Sequence, residues 1–383
     1  MRNLILYRKI FVLTLVIVLS VFGISDIGYS QFEKNTTEDN SAQFDIITTI
    51  PELSVDQIYE KAIRSVVWIR TPNGGQASGV LISRELRLAV TNAHVTNKSK
   101  RIDVYFPVRN RKGILISDRN FYVNEKNWEV LKELGYYTSG RVIAENFKTD
   151  LALISLDGLP ETARQIEFSS DFELKMKINS PVEVLGNPGA LDLWRWTAGR
   201  FQTVYQTENK VEQLHIKADI FGGNSGGPVL NNRGKLIGIV KESDRLMNTL
   251  AIPTKYIVEL LSTLELRHIF SIKNYTVFSV PYQIKWTEDG TWVQQEPLKP
   301  GEGLIHWYTG SSDNIPSGYP QVRFDYVAGD REVTFKSYSV ETYSRFFGPD
   351  IRDRVGRDMD ARAYHFGYDS RTKKLTLYDS EKK

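Results

Sequence analysis

Gly222-Gly223-Asn224-Ser225-Gly226-Gly227-Pro228-Val229 is the stretch on which the reading of this chain turns. A serine hydroxyl is a weak nucleophile at neutral pH. To act as one it needs a base for its proton and fixed N–H donors for the negative charge that develops on a carbonyl oxygen. Glycines on both sides of Ser225 permit a tight, partly left-handed turn that aims backbone N–H groups inward with no Cβ in the way. Alone, the same letters also describe a glycine-rich surface turn, so the decision lies upstream. Leu88-Ala89-Val90-Thr91-Asn92-Ala93-His94-Val95 is an apolar run ending in a histidine, followed by a polar turn. Thr149-Asp150-Leu151-Ala152-Leu153-Ile154 places a carboxylate at the opening of an alternating apolar strand. Each has a bland counterpart: a core histidine at a strand end, and a charge at a strand edge.

Taken together, and in the order His94, Asp150, Ser225, the three motifs resemble those of trypsin-like serine proteases. Subtilisin-like enzymes run Asp–His–Ser and α/β-hydrolases Ser–Asp–His. The resemblance implies roles. His94 takes the Ser225 proton and returns it to the leaving amine, and Asp150 fixes the imidazole tautomer and stabilises the imidazolium. The N–H groups of Gly223 and Ser225 form the oxyanion hole.

The fold class that follows is all-β. Two antiparallel six-stranded β-barrels of trypsin-like type occupy residues 53–266, and a small β-sandwich-like domain occupies 267–383. Ser65–Ile69 and Gly79–Ile82 read as strands around the Gly74-Gly75 turn, Asn187-Pro188-Gly189 as a turn, and Gly234–Val240 as a strand. Tyr256, Ile257, Leu260, Leu261 and Leu264 form an apolar stripe at helical spacing, expected to close the second barrel.

Further details are similar to the HtrA/Deg-like bacterial branch. Ser54-Val55-Asp56-Gln57 is a capping-box pattern opening a short helix to about Arg64. Gly186-Asn187-Pro188 and the Leu250-Ala251-Ile252-Pro253 ending also fit that branch. Asn224 stands where digestive-type relatives carry an aspartate that pairs with a newly cut N-terminal amine, so the resemblance implies a site formed without N-terminal trimming. The chain departs from the branch in three places. No PDZ domain is recognisable after the barrels, the turn reads Ile220-Phe221-Gly222-Gly223 instead of asparagine–proline–glycine, and residues Phe121 to Gly140 are inserted between the histidine and aspartate motifs. Trp128, Leu131 and Leu134 lie on one helical face of that insertion, expected to dock on the barrel, with Gly135 as its stop.

Specificity is less legible. Asp219 lies where the family places the floor of its primary specificity pocket, and a carboxylate there would favour Arg or Lys before the scissile bond. In the HtrA-like branch the pocket takes small aliphatic residues, with Asp219 left to solvent. Lys241, Glu242 and Ser243 follow the strand where the family pairs substrate backbone; an exposed strand edge is the alternative.

Arg2, Arg8 and Lys9 precede an apolar run from about Ile10 to Ile24, then Gly28-Tyr29-Ser30. This is the pattern of a signal peptide over residues 1–30, cleaved before Gln31. The run is shorter than the ~20 residues that span a bilayer comfortably, so no stable membrane insertion is expected after cleavage. An uncleaved N-terminal anchor is the alternative. Export to a periplasmic or extracellular location is expected, and residues 31–52 read as a polar linker. The chain has no cysteine, which rules out disulfide stapling and lipidation at an N-terminal Cys. A net charge of +3 from 49 basic and 46 acidic residues excludes a dominant nucleic-acid-binding field.

In the C-terminal region Val280–Trp286, Thr291–Val293, Leu304–Tyr308, Gln321–Val327 and Lys374–Tyr378 read as strands, and Arg345 to Arg362 as a loop or short helix. Trp286, Trp292 and Trp307 are expected in its core. His306 and His365 lack metal-site spacing, and no cofactor or metal is called for. The expected function is that of an exported serine endopeptidase acting on polypeptides, with oligomerisation left open. The alternative is an inactive protease-fold binding or adhesion protein that works through the C-terminal domain.

Overall fold

The structure is a computed structural model of the 383-residue chain. It describes residues 52–169, 176–189, 191–243, 248–309, 318–327, 333–347 and 361–382. The signal-peptide segment and nearly all of the linker lie outside the described residues. The chain divides into two compact units after Ser262, a few residues before the expected division, and the strand Glu265–Asn274 begins just beyond it.

The first unit opens with helix α1 (Val55–Ala62). Its capping box is reciprocal: Gln57 N–H donates to Ser54 Oγ at 3.3 Å, and Ser54 N–H donates to Gln57 Oε1 at 2.9 Å. A single 3-10 turn leads into β1 (Val66–Arg70), followed by β2 (Gln76–Ser83), β3 (Leu88–Thr91), β4 (Arg101–Tyr105), β5 (Tyr137–Asn146) and β6 (Leu151–Leu156). These close into an antiparallel barrel in the order β1-β2-β3-β6-β5-β4. Val67, Ile69, Leu81, Ala89, Ile102, Val104, Ile154 and Leu156 fill it. The sequence suggested that β6 would alternate between buried and exposed positions, yet all of it is buried. Its inward side chains line the barrel while the helix Lys255–Leu261 covers its outer face, so neither side meets water.

The second barrel comprises β7 (Pro181–Gly186), β8 (Arg195–Gln206), β9 (Glu212–Ala218), β10 (Pro228–Leu230), β11 (Leu236–Ser243) and β12 (Asn248–Pro253), closed in the order β10-β11-β12-β9-β8-β7. Helix α5 (Lys255–Leu261) buries Tyr256, Ile257, Leu260 and Leu261. It packs on β5 and β6 of the first barrel as well as on β12. The expected lid of one barrel is therefore a brace shared by both. Between β4 and β5, after the short helix α2 (Ala93–Thr96) that follows β3, the insertion forms α3 (Arg119–Val123) and α4 (Glu125–Glu133). Gly135, at φ 75°, stops α4. Leu131 is buried against the barrel, whereas Trp128 is half-exposed and stacked on Tyr137, and Leu134 is exposed.

The second unit is a pair of sheets over one apolar core. One sheet has the order β16-β13-β20-β21 with β19 also paired to β13; the other runs β15-β14-β17-β18. Here β13 is Glu265–Asn274, β14 Tyr282–Lys285, β15 Val293–Gln294, β16 Gly303–Thr309, β17 Gln321–Asp325, β18 Phe335–Ser339, β19 Tyr343–Phe347, β20 Arg362–Asp369 and β21 Lys374–Asp379. Phe270, Tyr282, Phe324, Tyr364 and Phe366 make the aromatic core.

Two expectations are corrected. Residues 345–347, expected to open a loop or short helix, instead end a strand, because the aromatic-rich Tyr343-Ser344-Arg345-Phe346-Phe347 pairs along β13; residues 348–360 lie outside the described residues. The three tryptophans do not form the core. Trp286 is only partly buried at its margin, Trp292 is partly buried outside the core and Trp307 is exposed, with Arg323 and Arg267 stacked over the last two at 4.2 and 5.6 Å. Strand register puts Trp307 on the outer face of β16, next to buried His306, and Trp292 lies just before β15; over each a guanidinium covers an aromatic face favourably.

Candidate active site

Strand β3 is buried along its length and ends at Thr91. Asn92 turns the chain in extended conformation, and α2 then carries His94 out of the core with its side chain 51% exposed. Asp150 comes from the opposite side, just before β6. Its φ of 60° lies in the left-handed region, which aspartate tolerates better than most residues and which marks strain kept where a side chain must be aimed. Lys148 and Thr149 N–H groups donate to Asn146 Oδ1, and Asn92 Nδ2 donates to the Asp150 carbonyl at 3.0 Å, fixing this turn.

The Asp150 carboxylate meets His94 twice. Oδ1 accepts the His94 backbone N–H at 2.9 Å, and Oδ2 lies 2.8 Å from Nδ1. A carboxylate can only accept, so Nδ1 carries the proton and the neutral ring presents Nε2 as a base. Among the described residues Nε2 makes no hydrogen bond.

Ser225 sits in a turn closed by Asn224 N–H to Phe221 C=O at 3.1 Å and Gly227 N–H to Asn224 C=O at 2.9 Å. The turn is stitched to β11 by Gly226 N–H to Val240 C=O and to β2 by Ser78 N–H to Ser225 C=O, each 2.9 Å. Gly226 has φ +85°, and a Cβ there would lie 2.1 Å from the Ser78 carbonyl oxygen, so only glycine fits. Ser78 C=O in turn accepts from Thr91 Oγ1 at 2.7 Å, which ties the Ser225 backbone to the strand that delivers His94. The Ser225 hydroxyl is directed elsewhere: it donates to the Lys241 carbonyl at 3.0 Å and not to His94. That carbonyl is available because the register of β11 with β12 shifts between Val240 and Glu242, leaving Lys241 out of the ladder.

The peptide between Gly222 and Gly223 is oriented by its oxygen. Gly222 C=O accepts Gly189 N–H at 2.7 Å, so in a trans peptide the Gly223 N–H faces the other way. Among the described residues the N–H groups of Gly223 and Ser225 have no acceptor.

Residues 77–239 match the sequence family described as "Trypsin-like peptidase domain". This segment is a trypsin-like peptidase domain. Two curated relatives, both "Serine protease HtrA-like" from Staphylococcus aureus strains USA300 and NCTC 8325 / PS 47, are each 28% identical over 142 residues, covering 33% of this chain. The chain spans only 18% of the length of those relatives. Crystal structures of the Rv3671c protease of M. tuberculosis also resemble it. The inactive form gives 20% identity over 56% of this chain and 98% of that one, with a TM-score of 0.41. The active form gives 19% identity over 54% and 82%, also at 0.41. The trypsin-like, HtrA-type serine protease kinship read from the motifs and the two-barrel all-β fold stand.

Within the peptidase domain, the remaining sequence candidates scatter. Asp219 is exposed just after β9. Lys241 pairs with Glu242 at 2.8 Å on the surface, and Ser243 Oγ accepts from Thr249 Oγ1.

Sequence reasoning missed the residues that hold the Ser225 turn. Ser78, fully buried, donates through Oγ to Gly223 C=O at 2.9 Å and accepts the Asn187 N–H at 2.8 Å. Asn187, also fully buried, donates through Nδ2 to Val67 C=O at 3.0 Å and accepts Trp194 N–H at 3.0 Å. A lone serine in an apolar strand and an asparagine in a turn motif carry little signal of such a role. Burial pushes the Tyr122 hydroxyl pKa up and the Arg119 pKa down beside this cluster. No group of His, Cys, Asp or Glu among the described residues could hold a metal ion.

Proposed function

We propose that this chain is an exported endopeptidase in which Ser225, His94 and Asp150 act as a catalytic triad on polypeptide substrates. The observation that carries the reading is the His94–Asp150 pair at 2.8 Å, which leaves Nε2 as the open base of a trypsin-like domain. In the first half-reaction Ser225 Oγ rotates away from the Lys241 carbonyl and attacks the substrate carbonyl carbon as its proton passes to His94 Nε2. Negative charge collects on the carbonyl oxygen, opposite the Gly223 and Ser225 N–H groups. The C–N bond then breaks, His94 gives its proton to the departing amine, and an acyl ester remains on Ser225. In the second half a water gives its proton to His94 and attacks the ester. The acid product leaves, and the proton returns to Ser225.

Asn224 is buried and offers no carboxylate to a cut N-terminus. The turn is held instead by Ser78 and Gly189, which supports activity without N-terminal trimming. Export rests on the charged and apolar pattern of residues 1–30 alone. The test is hydrolysis of casein and of a peptide library by the wild-type chain and by Ser225→Ala. The wild type is expected to cleave and the folded variant not; equal cleavage by both removes Ser225 from the chemistry.

A further inference from the structure

The insertion between β4 and β5 reaches the oxyanion side of the candidate site through one guanidinium. Arg119, the first residue of α3, donates from Nη2 to Pro188 C=O at 2.5 Å and to Asn187 C=O at 3.4 Å. Its Nη1 donates to Leu191 C=O at 3.0 Å, and Nε to Gln76 Oε1 at 3.3 Å. The cation also lies over the Trp68 ring at 5.5 Å. Three backbone carbonyls of one turn thus converge on one side chain, a geometry suited to a planar fork and not to a point charge.

That turn is the one that orients the Gly222–Gly223 peptide. Gly189 follows Pro188 directly, and its N–H holds the Gly222 carbonyl at 2.7 Å. Gly223 packs tightly there as well: a Cβ on it would meet Gly189 N at 2.5 Å and Asn187 O at 2.6 Å. The insertion grips the same segment a second time beyond Arg119. Leu193 N–H donates to Ser117 C=O at 3.0 Å, and Trp194 Nε1 lies 3.0 Å from both Ile116 O and Tyr122 Oη.

We propose that Arg119 is a positioning residue which, by clamping the Asn187–Gly189 turn, keeps the Gly223 N–H facing the cleft as an oxyanion donor. The α3–α4 insertion is on this account part of the catalytic scaffold and not an appended surface loop. The proposal rests on the reading of Ser225 and Gly223 given above. Without the guanidinium, Pro188 and Leu191 lose their shared donor. Gly189 can then slip from the Gly222 carbonyl, and the peptide is free to turn its oxygen toward the cleft.

Removing one oxyanion donor costs on the order of a hundredfold to a thousandfold in turnover, and a misplacement of about 1 Å about a hundredfold. Arg119→Ala is therefore expected to lower kcat by roughly tenfold to a hundredfold with KM within about threefold. Arg119→Lys, able to reach one carbonyl at a time, is expected to recover only part of it. Two NMR signals read the structure independently of turnover. The Gly223 amide cross-peak is expected to shift in Arg119→Ala, while the low-field His94 Nδ1–H resonance persists. A Gly223 cross-peak that stays in place, or a kcat within threefold of wild type in Arg119→Ala, overturns the proposal. Loss of the His94 resonance together with kcat also overturns it, because the effect is then general disorder. Failure of the underlying reading looks different: the wild type itself does not cleave, whatever Arg119 does to the Gly223 signal.

Discussion

Ser78→Ala isolates the contact on which the Ser225 turn depends. Ser78 Oγ bridges Asn187 N–H at 2.8 Å and Gly223 C=O at 2.9 Å, in a position with no solvent access. Alanine fits the same space but leaves a fully buried N–H without an acceptor and a part-buried carbonyl without a donor. An unpaired buried group costs about 1–3 kcal/mol, and the Gly223 carbonyl, nearer to water, belongs at the low end. The expected loss is therefore about 2–4 kcal/mol. A domain of roughly 150–250 residues loses about 2–4 °C in Tm per kcal/mol, so the unfolding midpoint of the peptidase domain should fall by about 5–15 °C. The same change loosens the residue whose N–H faces the cleft, so kcat should fall by about tenfold or more with little effect on KM. Calorimetry and urea unfolding of the variant against wild type read the first effect, and peptide hydrolysis the second. A midpoint within 1 °C of wild type and a kcat within twofold would refute the claim that Ser78 holds this turn.

Other changes probe different parts of the chain. Asp150→Asn keeps an acceptor oxygen but can present an amide donor to Nδ1, which favours the wrong tautomer of His94. Turnover should fall on the order of ten-thousandfold with the fold intact, and a loss below tenfold in steady-state hydrolysis would contradict the assigned role. In the second unit, burial holds the His306 imidazole down at about 4, with its Nε2 2.8 Å from Tyr282 Oη. Above the ordinary value of about 6.5, folded and unfolded states are both neutral and the group is silent. As the pH falls from 6.5 to 4 the unfolded chain takes up a proton that the folded one refuses, so stability drops by on the order of 3 kcal/mol. His306→Gln should flatten that part of the acid-unfolding curve relative to wild type, and superimposable curves would count against it.

The sequence showed the residues of the candidate chemistry because that chemistry needs fixed residue types at fixed places. Ser225 among glycines, His94 after a buried strand and Asp150 before one are local patterns. Strands β1, β2, β3, β6 and β11 were readable for the same reason, since each carries its own apolar run, whereas β8, exposed along most of its length, carries none. What was hidden depends on partners far away in the chain. Ser78 and Asn187 are ordinary letters until the two barrels bring them together across 109 positions. Arg119 was one more charge just ahead of the expected insertion until α3 set it against the Pro188 turn. In the second unit β13, β18, β19 and β20 were not read as strands, although β13 and β19 carry apolar and aromatic residues; what places them is pairing with partners far off in the chain, as when β13 meets β16, β19 and β20. Trp307 misled because strand register decides which face a residue takes.

The central claim, that Ser225 is the nucleophile, is tested most directly by treating the folded protein with a serine-directed fluorophosphonate and locating the adduct by peptide mass spectrometry. The account predicts a single adduct on Ser225, absent in Ser225→Ala and formed far more slowly in His94→Ala. A wild-type protein that hydrolyses casein while Ser225 stays unmodified would contradict it.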